Sequence, residues 1–461
     1  MLRITIEKAA ATLQPDLSLD TPPRTPNLER EWKPNVWNPA CLPITPPPEA
    51  STPVDEVSNP VRLEIPAEIS QEDEPCVAVI GCGYVGEHLL SAFSAVYRVI
   101  GFDVSERRIN QLREEFSSSR NQVEFTTAKP DLRRATHFLI SVPTLLRADK
   151  TIDSSYLQSA LETVSTYGRP GATVVIESSV AVGMTRSLLG PICAAHRFFG
   201  GMSPERVDPG RTEPPARAIP KIISGLDEAS LAAVSRLYNP VFDTTVPVSR
   251  TEVAEMCKLY ENCQRMMAIA YANEMADACM PHAIDPFEVA RAAATKPFGY
   301  MPFTPSAGVG GHCIPVNPYY LLSNCEFPLL KAAADKMGRR PAELARRAVE
   351  TIGRVKGKSA GAKRRVLVVG VGFKAGQSVL SNSPGLDLAR ALVETDEVDA
   401  MFADPLVAQE AVPSVPRLAD EEWTREGLSK FDMIIVAVKQ VGLDFGCLEG
   451  LEGVLVENWC R

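Results

Sequence analysis

The sequence predicts an α/β protein: two doubly wound parallel-sheet domains joined by a long central helix and preceded by a Pro-rich arm. Three observations predict it. Short, continuously apolar runs alternate with helical stretches, the pattern of parallel sheets whose strands are buried on both faces. A glycine-rich turn follows the first of these runs, and another follows a similar run near residue 366. Residues 251 to 280 contain neither Pro nor Gly, which reads as one helix of about 45 Å at 1.5 Å per residue.

The elements follow in chain order. Residues 1–74 hold thirteen of the 38 prolines, Pro46-Pro47-Pro48 among them, with little hydrophobic periodicity. Proline removes a donor and blocks helix interiors, so the segment reads as a disordered arm, either a solvated tail or a Pro-rich docking segment. Order begins at Pro75. Cys76 to Ile80, Arg98 to Asp103, His137 to Val142 and Ala172 to Glu177 read as buried strands of a first domain over residues 75–248. A helical middle follows over 249–358, where Met256, Leu259, Tyr260, Met266, Met267 and Ile269 give the long helix a broad apolar surface. The second sheet domain, 359–461, opens with the strand Arg365 to Val369. Ser383-Pro384 reads there as an N-cap with proline at the first helical position, and strands are expected at 398–403, 431–438 and 454–456.

Composition excludes several classes. The net charge is −9, from 57 acidic and 48 basic residues, so the basic footprint of a nucleic-acid binder is absent. No apolar run approaches the ~18–20 residues of a membrane span, and Met1 to Glu7 lacks a secretory apolar core. Eleven cysteines, an odd count scattered without paired metal spacing, suggest free thiols in a reducing, cytoplasmic setting and no metal site.

Gly81-Cys82-Gly83-Tyr84-Val85-Gly86 is a GxGxxG turn between a strand and a helix, the context that makes this short motif Rossmann-like. Its glycines let backbone approach a pyrophosphate, which sits at the positive end of the helix. Asp103 lies 22 residues beyond Gly81, at the end of the second strand. A carboxylate there accepts from the ribose hydroxyls and repels a 2′-phosphate, favouring NAD over NADP. Cys313 lies in Gly308-Val309-Gly310-Gly311-His312-Cys313-Ile314-Pro315. A cysteine is usually a small core residue, but a glycine-rich loop suits a nucleophile approached by its ligand. His312 reads as a structural or backbone-orienting neighbour. Lys258 and Asn262 are spaced i, i+4 and share a helix face, either solvated or directed together at an oxyanion. Glu205-Arg206 and Glu177-Ser178-Ser179 follow predicted strands, where such sheets bind ligands and where capping residues also occur.

Together these residues resemble the UDP-glucose/GDP-mannose dehydrogenase family from about residue 75 to 461. The resemblance rests on GCGYVG, SVPT at 141–144, ESS at 177–179, SPERVDPG at 203–210, EVAEMCKLYEN at 252–262, GVGGHCIPVNPYYL at 308–321 and VLVVGVGFK at 366–374. The HCIPV and SPERV forms look closest to the branch that oxidises UDP-N-acetylhexosamines. The resemblance implies oxidation of the C6 alcohol of a nucleotide sugar to a carboxylate with two NAD⁺, and a homodimer or higher homo-oligomer built on the long helix. It implies that Cys313 carries a thiohemiacetal and then a thioester. Lys258 and Asn262 would stabilise the oxyanion, and Glu205 would serve as general acid/base. Gly81, Gly83, Tyr84, Val85, Gly86, Asp103, Arg108, Pro143, Thr144 and Ser179 would hold NAD. Arg206, Gly310 and Lys374 would join Glu205, Lys258 and Asn262 at the sugar nucleotide.

The sequence departs from the family pattern in three places. Asn317 stands where the family has an aspartate four residues after the cysteine, and an amide cannot accept a proton. Residues 374–384, KAGQSVLSNSP, replace a segment like KPDVDDLRESP and lose its arginine and its acids. Leu145 replaces a proline after SVPT, and ESSVAVG lacks the prolines of ESTVPPG. Two other expectations therefore stand beside the four-electron oxidation. One is a two-electron alcohol dehydrogenase, since the Lys-x-x-x-Asn spacing also resembles β-hydroxyacid dehydrogenases. The other is a non-catalytic NAD- or nucleotide-binding protein.

Overall fold

The computed structural model describes residues 74–117, 123–207, 213–354 and 363–460. The arm expected over 1–74 lies outside these residues apart from Glu74, as do Asp208 to Gly210 of the SPERVDPG motif.

Two parallel sheets and a long helix between them in sequence form the α/β architecture the pattern predicts. Strand β1 (Cys76–Ile80) is five residues long and buried throughout. It sits inside an eight-stranded sheet with β2 (Arg98–Phe102), β3 (Val123–Thr126) and β4 (His137–Ile140). A short ribbon, β5 (Leu145–Leu146) with β6 (Ile152–Asp153), leaves the sheet after β4. The sheet resumes with β7 (Thr173–Ile176), β8 (Phe199–Met202), β9 (Lys221–Gly225) and β10 (Thr245–Pro247). The order is β10-β9-β8-β7-β4-β1-β2-β3, parallel except where β8 meets β9.

Register decides where the chemistry can gather. Ile80 pairs with both Phe102 and Ile140, Ile140 with Ile176, and Ile176 with Met202. The next residues, Gly81, Asp103, Ser141, Glu177 and Ser203, therefore leave the sheet in a row along one edge. The strand order reverses between β1 and β4, the crevice where such sheets bind ligands. Two strands end earlier than their apolar runs suggest, because the edge is stitched by side chains. Ser141 Oγ donates to the Gly81 carbonyl at 2.8 Å, and Ser178 Oγ donates to that of Val142 at 2.7 Å.

The long helix runs Thr251–Cys279, 29 residues. Its face toward the first sheet is keyed by Glu255, which is fully buried. The Glu255 carboxylate accepts from the backbone N–H groups of Gly183 (2.5 Å) and Thr185 (2.8 Å), satisfying orphan donors at the start of helix Met184–His196. A second long helix, Pro328–Gly353, packs against it and carries a buried Pro341 in its interior. The sequence pattern does not reveal this helix, since an interior proline ordinarily ends one.

The second sheet has four parallel strands ordered β12-β11-β13-β14: β11 (Arg364–Val369), β12 (Val398–Ala403), β13 (Met433–Val436) and β14 (Leu455–Asn458). It repeats the first sheet's turn chemistry. A Cβ on Gly86 would stand 2.0 Å from the Gly81 oxygen, and one on Gly385 would stand 2.4 Å from the Gly370 oxygen. In both places only glycine lets the helix cross so close to the strand end. The carboxylates that follow the second strands differ. Asp404 is sealed, with Oδ2 accepting from the N–H groups of Val371 and Gly372 at 3.0 Å each, whereas Asp103 remains half-buried.

Replacing Glu255 with Ala strands two backbone donors in a buried setting. A loss of about 2–3 kcal/mol in unfolding free energy is expected by denaturant titration, whereas a change under about 0.5 kcal/mol, the surface norm, would remove this contact from the account.

Candidate active site

The GxGxxG turn opens the crevice. Gly81 has φ +88°, a left-handed conformation that a side chain would strain. Gly83 is different: nothing lies within 4 Å of where its Cβ would stand, at the N-terminus of helix Tyr84–Ser94. Open space at the start of a helix suits a pyrophosphate. Asp103 is preset beside it, accepting from Cys82 N–H at 2.8 Å and from Ser105 N–H at 2.9 Å. Each carboxylate oxygen keeps a further lone pair for a ribose hydroxyl. These residues fit a dinucleotide. Arg108 supports the turn from behind: Nε donates to the Cys82 carbonyl at 2.8 Å, and the guanidinium pairs with Glu87 at 2.6 Å. Tyr84 is exposed and meets the His88 ring edge-on, Val85 is half-buried against the core, Pro143 is exposed, and Thr144 and Ser179 are half-buried on the neighbouring strand ends.

Three elements bring the remaining groups together. Cys313, half-buried, precedes helix Asn317–Leu322, whose first residue Asn317 donates its N–H to the Cys313 carbonyl at 2.9 Å. Asn262 on the long helix donates Nδ2 to Asn317 Oδ1, and both amides are buried. Lys258, one turn earlier, interacts electrostatically with Cys313, Glu205 and Glu261. Burial pulls the Lys258 pKa below the ordinary lysine value, while those three neighbours pull it back up, Cys313 most strongly. Of the i, i+4 pair, Asn262 is buried against the helix that follows the nucleophile loop and Lys258 is half-buried.

Glu205 follows β8. Its Oε1 accepts from the N–H groups of Arg206 (2.7 Å) and Val207 (2.8 Å), and its Oε2 accepts from Lys221 Nζ at 3.1 Å. Burial alone would raise its pKa, but Lys221 and the backbone donors outweigh burial, and the carboxyl lies below its ordinary value. Arg206, expected at the substrate, is committed elsewhere: it donates to Glu261 at 2.6 Å and to the Pro220 carbonyl at 2.9 Å.

The glycines of the cysteine loop meet protein. A Cβ on Gly310 would stand 2.9 Å from Pro384 Cδ, and one on Gly311 would stand 3.0 Å from the Phe373 ring. Asn382 Nδ2 donates to the Gly311 carbonyl at 2.9 Å. From the other side, Arg340 Nε donates to the Ser306 carbonyl at 3.0 Å, and Asn273 Oδ1 accepts from Ser306 N–H at 2.8 Å. These glycines make room for the second sheet domain, where sequence reading expected ligand. Lys374, beside Phe373, is exposed. Sequence reading missed Lys221, Tyr238, Asn382 and Arg340. Only Lys221 left a signal, a lysine opening the otherwise apolar run Lys221-Ile222-Ile223.

A GxGxxG turn at the switch point of a parallel sheet, with a carboxylate preset at the end of the next strand, fits an oxidoreductase that uses a nicotinamide cofactor. The chain belongs to the UDP-glucose/GDP-mannose dehydrogenase family. Residues 76–242 match that family's NAD binding domain and 252–335 its central domain. It is accordingly an NAD-dependent oxidoreductase acting on CH–OH groups. It is 33% identical over 358 residues to a UDP-N-acetyl-D-glucosamine 6-dehydrogenase of Pseudomonas aeruginosa, covering 72% of this chain and 83% of that one. It is 32% identical over 402 residues to a UDP-N-acetyl-D-glucosamine 6-dehydrogenase of Salmonella typhi, covering 80% and 92%. A solved UDP-D-ManNAc dehydrogenase from Pyrococcus horikoshii superposes with a TM-score of 0.70 at 25% identity, covering 83% of this chain and 99% of that one.

Asp103→Asn replaces an acceptor oxygen with donors. A rise of about tenfold or more in the NAD dissociation constant, with the thermal midpoint little changed, is expected by calorimetric titration; unchanged affinity would remove Asp103 from the ribose site.

Proposed function

We propose that the chain oxidises the C6 alcohol of a UDP-N-acetylhexosamine to the carboxylate, through a covalent adduct on Cys313. The observation that carries this reading is the half-buried Lys258, one turn before Asn262 on the long helix, whose charge interacts with the Cys313 thiol and the Glu205 carboxylate. The names of its relatives support the sugar class. Bound at the Gly81–Gly86 turn and Asp103, NAD⁺ supplies the hydride acceptor.

The residues then divide the work. Glu205, an ionised carboxylate held by two backbone donors, takes the proton of the C6 hydroxyl as the alcohol becomes an aldehyde. Cys313 Sγ adds to the aldehyde carbon, forming a C–S bond as the carbonyl π pair moves to oxygen. Lys258 and Asn262 donate to that oxygen. An amide has two N–H donors, and Asn262 spends one on Asn317, so one remains. Once the first NADH has been exchanged for a second NAD⁺, transfer of a hydride from the thiohemiacetal oxyanion to it would leave a thioester. Glu205, having passed its first proton to solvent, takes a proton from the water that attacks the thioester; the C–S bond then breaks with its electron pair leaving on sulfur, releasing the carboxylate and returning the thiolate, a good leaving group. Asn317 takes no proton here; it orients Asn262. Arg206 ties Glu261 of the long helix to the Pro220 carbonyl, while Gly310 of the cysteine loop and Lys374 after β11 border the site.

We read the assembly as a homodimer or higher homo-oligomer built on the long helix. Tyr260 and Tyr271 on that helix are 72% and 62% exposed and would lie in such a contact. A cytoplasmic setting suits the ten described cysteines, all of them free thiols. Among the described residues no helix is long and apolar enough to cross a membrane.

A second reading, two-electron oxidation that stops at the aldehyde, is favoured by one observation: an amide, Asn317, occupies the position of the family's aspartate. Stoichiometry separates the two. With limiting UDP-N-acetylglucosamine and excess NAD⁺, two NADH per sugar are expected from the native protein and no more than one from Cys313→Ala. Two NADH from the Cys313→Ala variant would contradict the covalent route, and one from the native protein would establish the second reading.

A further inference from the structure

Behind the carboxyl edge of the sheet lies a buried cluster that the proposed chemistry leaves without a task. Lys221 Nζ donates to Glu177 Oε2 at 2.6 Å and to Glu205 Oε2 at 3.1 Å. The Tyr238 hydroxyl donates to Glu177 Oε1. Glu177, Lys221 and Tyr238 are each 3% exposed or less, and Glu205 is 9% exposed. They come from three neighbouring strand ends and helix Glu228–Tyr238, so the sheet's register fixes their meeting. Phe242 closes the cluster, with Lys221 Nζ 5.5 Å from its ring centroid.

The charge count is uneven: two carboxyl groups share one ammonium. Glu205 has two backbone N–H donors besides Lys221, whereas Glu177 has only the phenol. Two buried carboxylates sharing one cation cannot both ionise cheaply, and the proton goes to the one with the weaker donors. That one is Glu177, which has no opening to the site, while Glu205 faces Lys258 and the cysteine loop.

We propose that Lys221, Glu177 and Tyr238 are a positioning network that keeps Glu205 ionised and aimed, and that Glu177 stores one exchangeable proton behind it. This rests on the reading of Glu205 as the site's base. The titratable groups around the network are Lys258 and Glu261 on the long helix and Arg206 after β8, the last two paired with each other. Lys221 also opposes the charge on Lys258, so one buried ammonium biases both partners of the nucleophile. The directions agree. Burial pushes Glu177 up to about 7, with Lys221 pulling it down and Glu205 pushing it up, while Glu205 lies below its ordinary value.

The test has one arm that needs no substrate. Infrared difference spectra of the full chain, titrated across neutral pH, should contain the carbonyl stretch of one carboxyl group that protonates near pH 7. The band should vanish in Glu177→Gln, persist in Glu205→Gln, and titrate at higher pH in Tyr238→Phe, where the ionised form loses its phenol donor. In the second arm, kcat/KM is followed against pH with UDP-N-acetylglucosamine and NAD⁺. Glu177→Gln leaves Lys221 to Glu205 alone and should move the acid limb to lower pH. Lys221→Met removes the cation and should move it to higher pH by about one unit or more. A role in packing alone would lower the folded fraction without opposite shifts. If Lys221→Met does not fold, Glu177→Gln and Tyr238→Phe decide. Absence of a neutral-titrating carboxyl, or a Glu177→Gln profile matching the native one, would overturn the proposal. Full turnover in Glu205→Gln would instead overturn the reading of the base, with the infrared band still reporting Glu177.

Discussion

An ammonium group buried in protein must be matched by negative charge and hydrogen-bond acceptors or lose its proton. This protein buries one lysine, Lys221, against a carboxylate that also interacts with the half-buried Lys258. Lys221 reaches Glu205 from behind, and Lys258 faces it from the long helix. Neither could be held without the row of strand ends that the sheet's register aligns, because Glu177, Glu205 and Lys221 all come from that edge. The long helix must in turn dock against the same sheet, which Glu255 secures by capping a helix of the first domain. Charge placement, register and docking are thus one constraint expressed at three scales.

The cysteine loop adds a second dependence. Its glycines accommodate Pro384 and Phe373, its backbone is tied to Asn382, and Ser306 just before it is tied to Arg340 and Asn273. The thiol is therefore placed by the second sheet domain and both long helices at once. The altered segment 374–384 lies at this contact. Asn382 can donate to the Gly311 carbonyl in a way a carboxylate cannot, so the divergent segment supplies its own link to the loop. The Asn262–Asn317 pair is a related case, since two neutral amides satisfy each other in a pocket 5% exposed or less.

Much of the fold was legible because its signals are local. Buried parallel strands read as continuous apolar runs, a GxGxxG turn is short, and a helix of 29 residues without Pro or Gly is conspicuous. Helix Pro328–Gly353 was hidden by Pro341, whose tolerance depends on tertiary packing no local pattern records. At the site, Cys313, Lys258, Asn262 and Glu205 could be picked out by motif. Their partners could not, because Lys221, Tyr238 and Asn382 reach them only through register and domain contact. The glycines of the cysteine loop were readable as a close approach, but the approaching surface was mistaken: it is Pro384 and Phe373.

In the proposed chemistry the Lys258 ammonium stabilises the negative charge that develops when Cys313 adds to its substrate carbon. The most direct measurement is kcat for Lys258→Met at saturating NAD⁺ and UDP-N-acetylglucosamine, with NAD affinity and thermal midpoint measured on the same preparation. A fall of about 10²–10³-fold or more with NAD affinity retained is the result predicted. A kcat within a few-fold of the native value would contradict it.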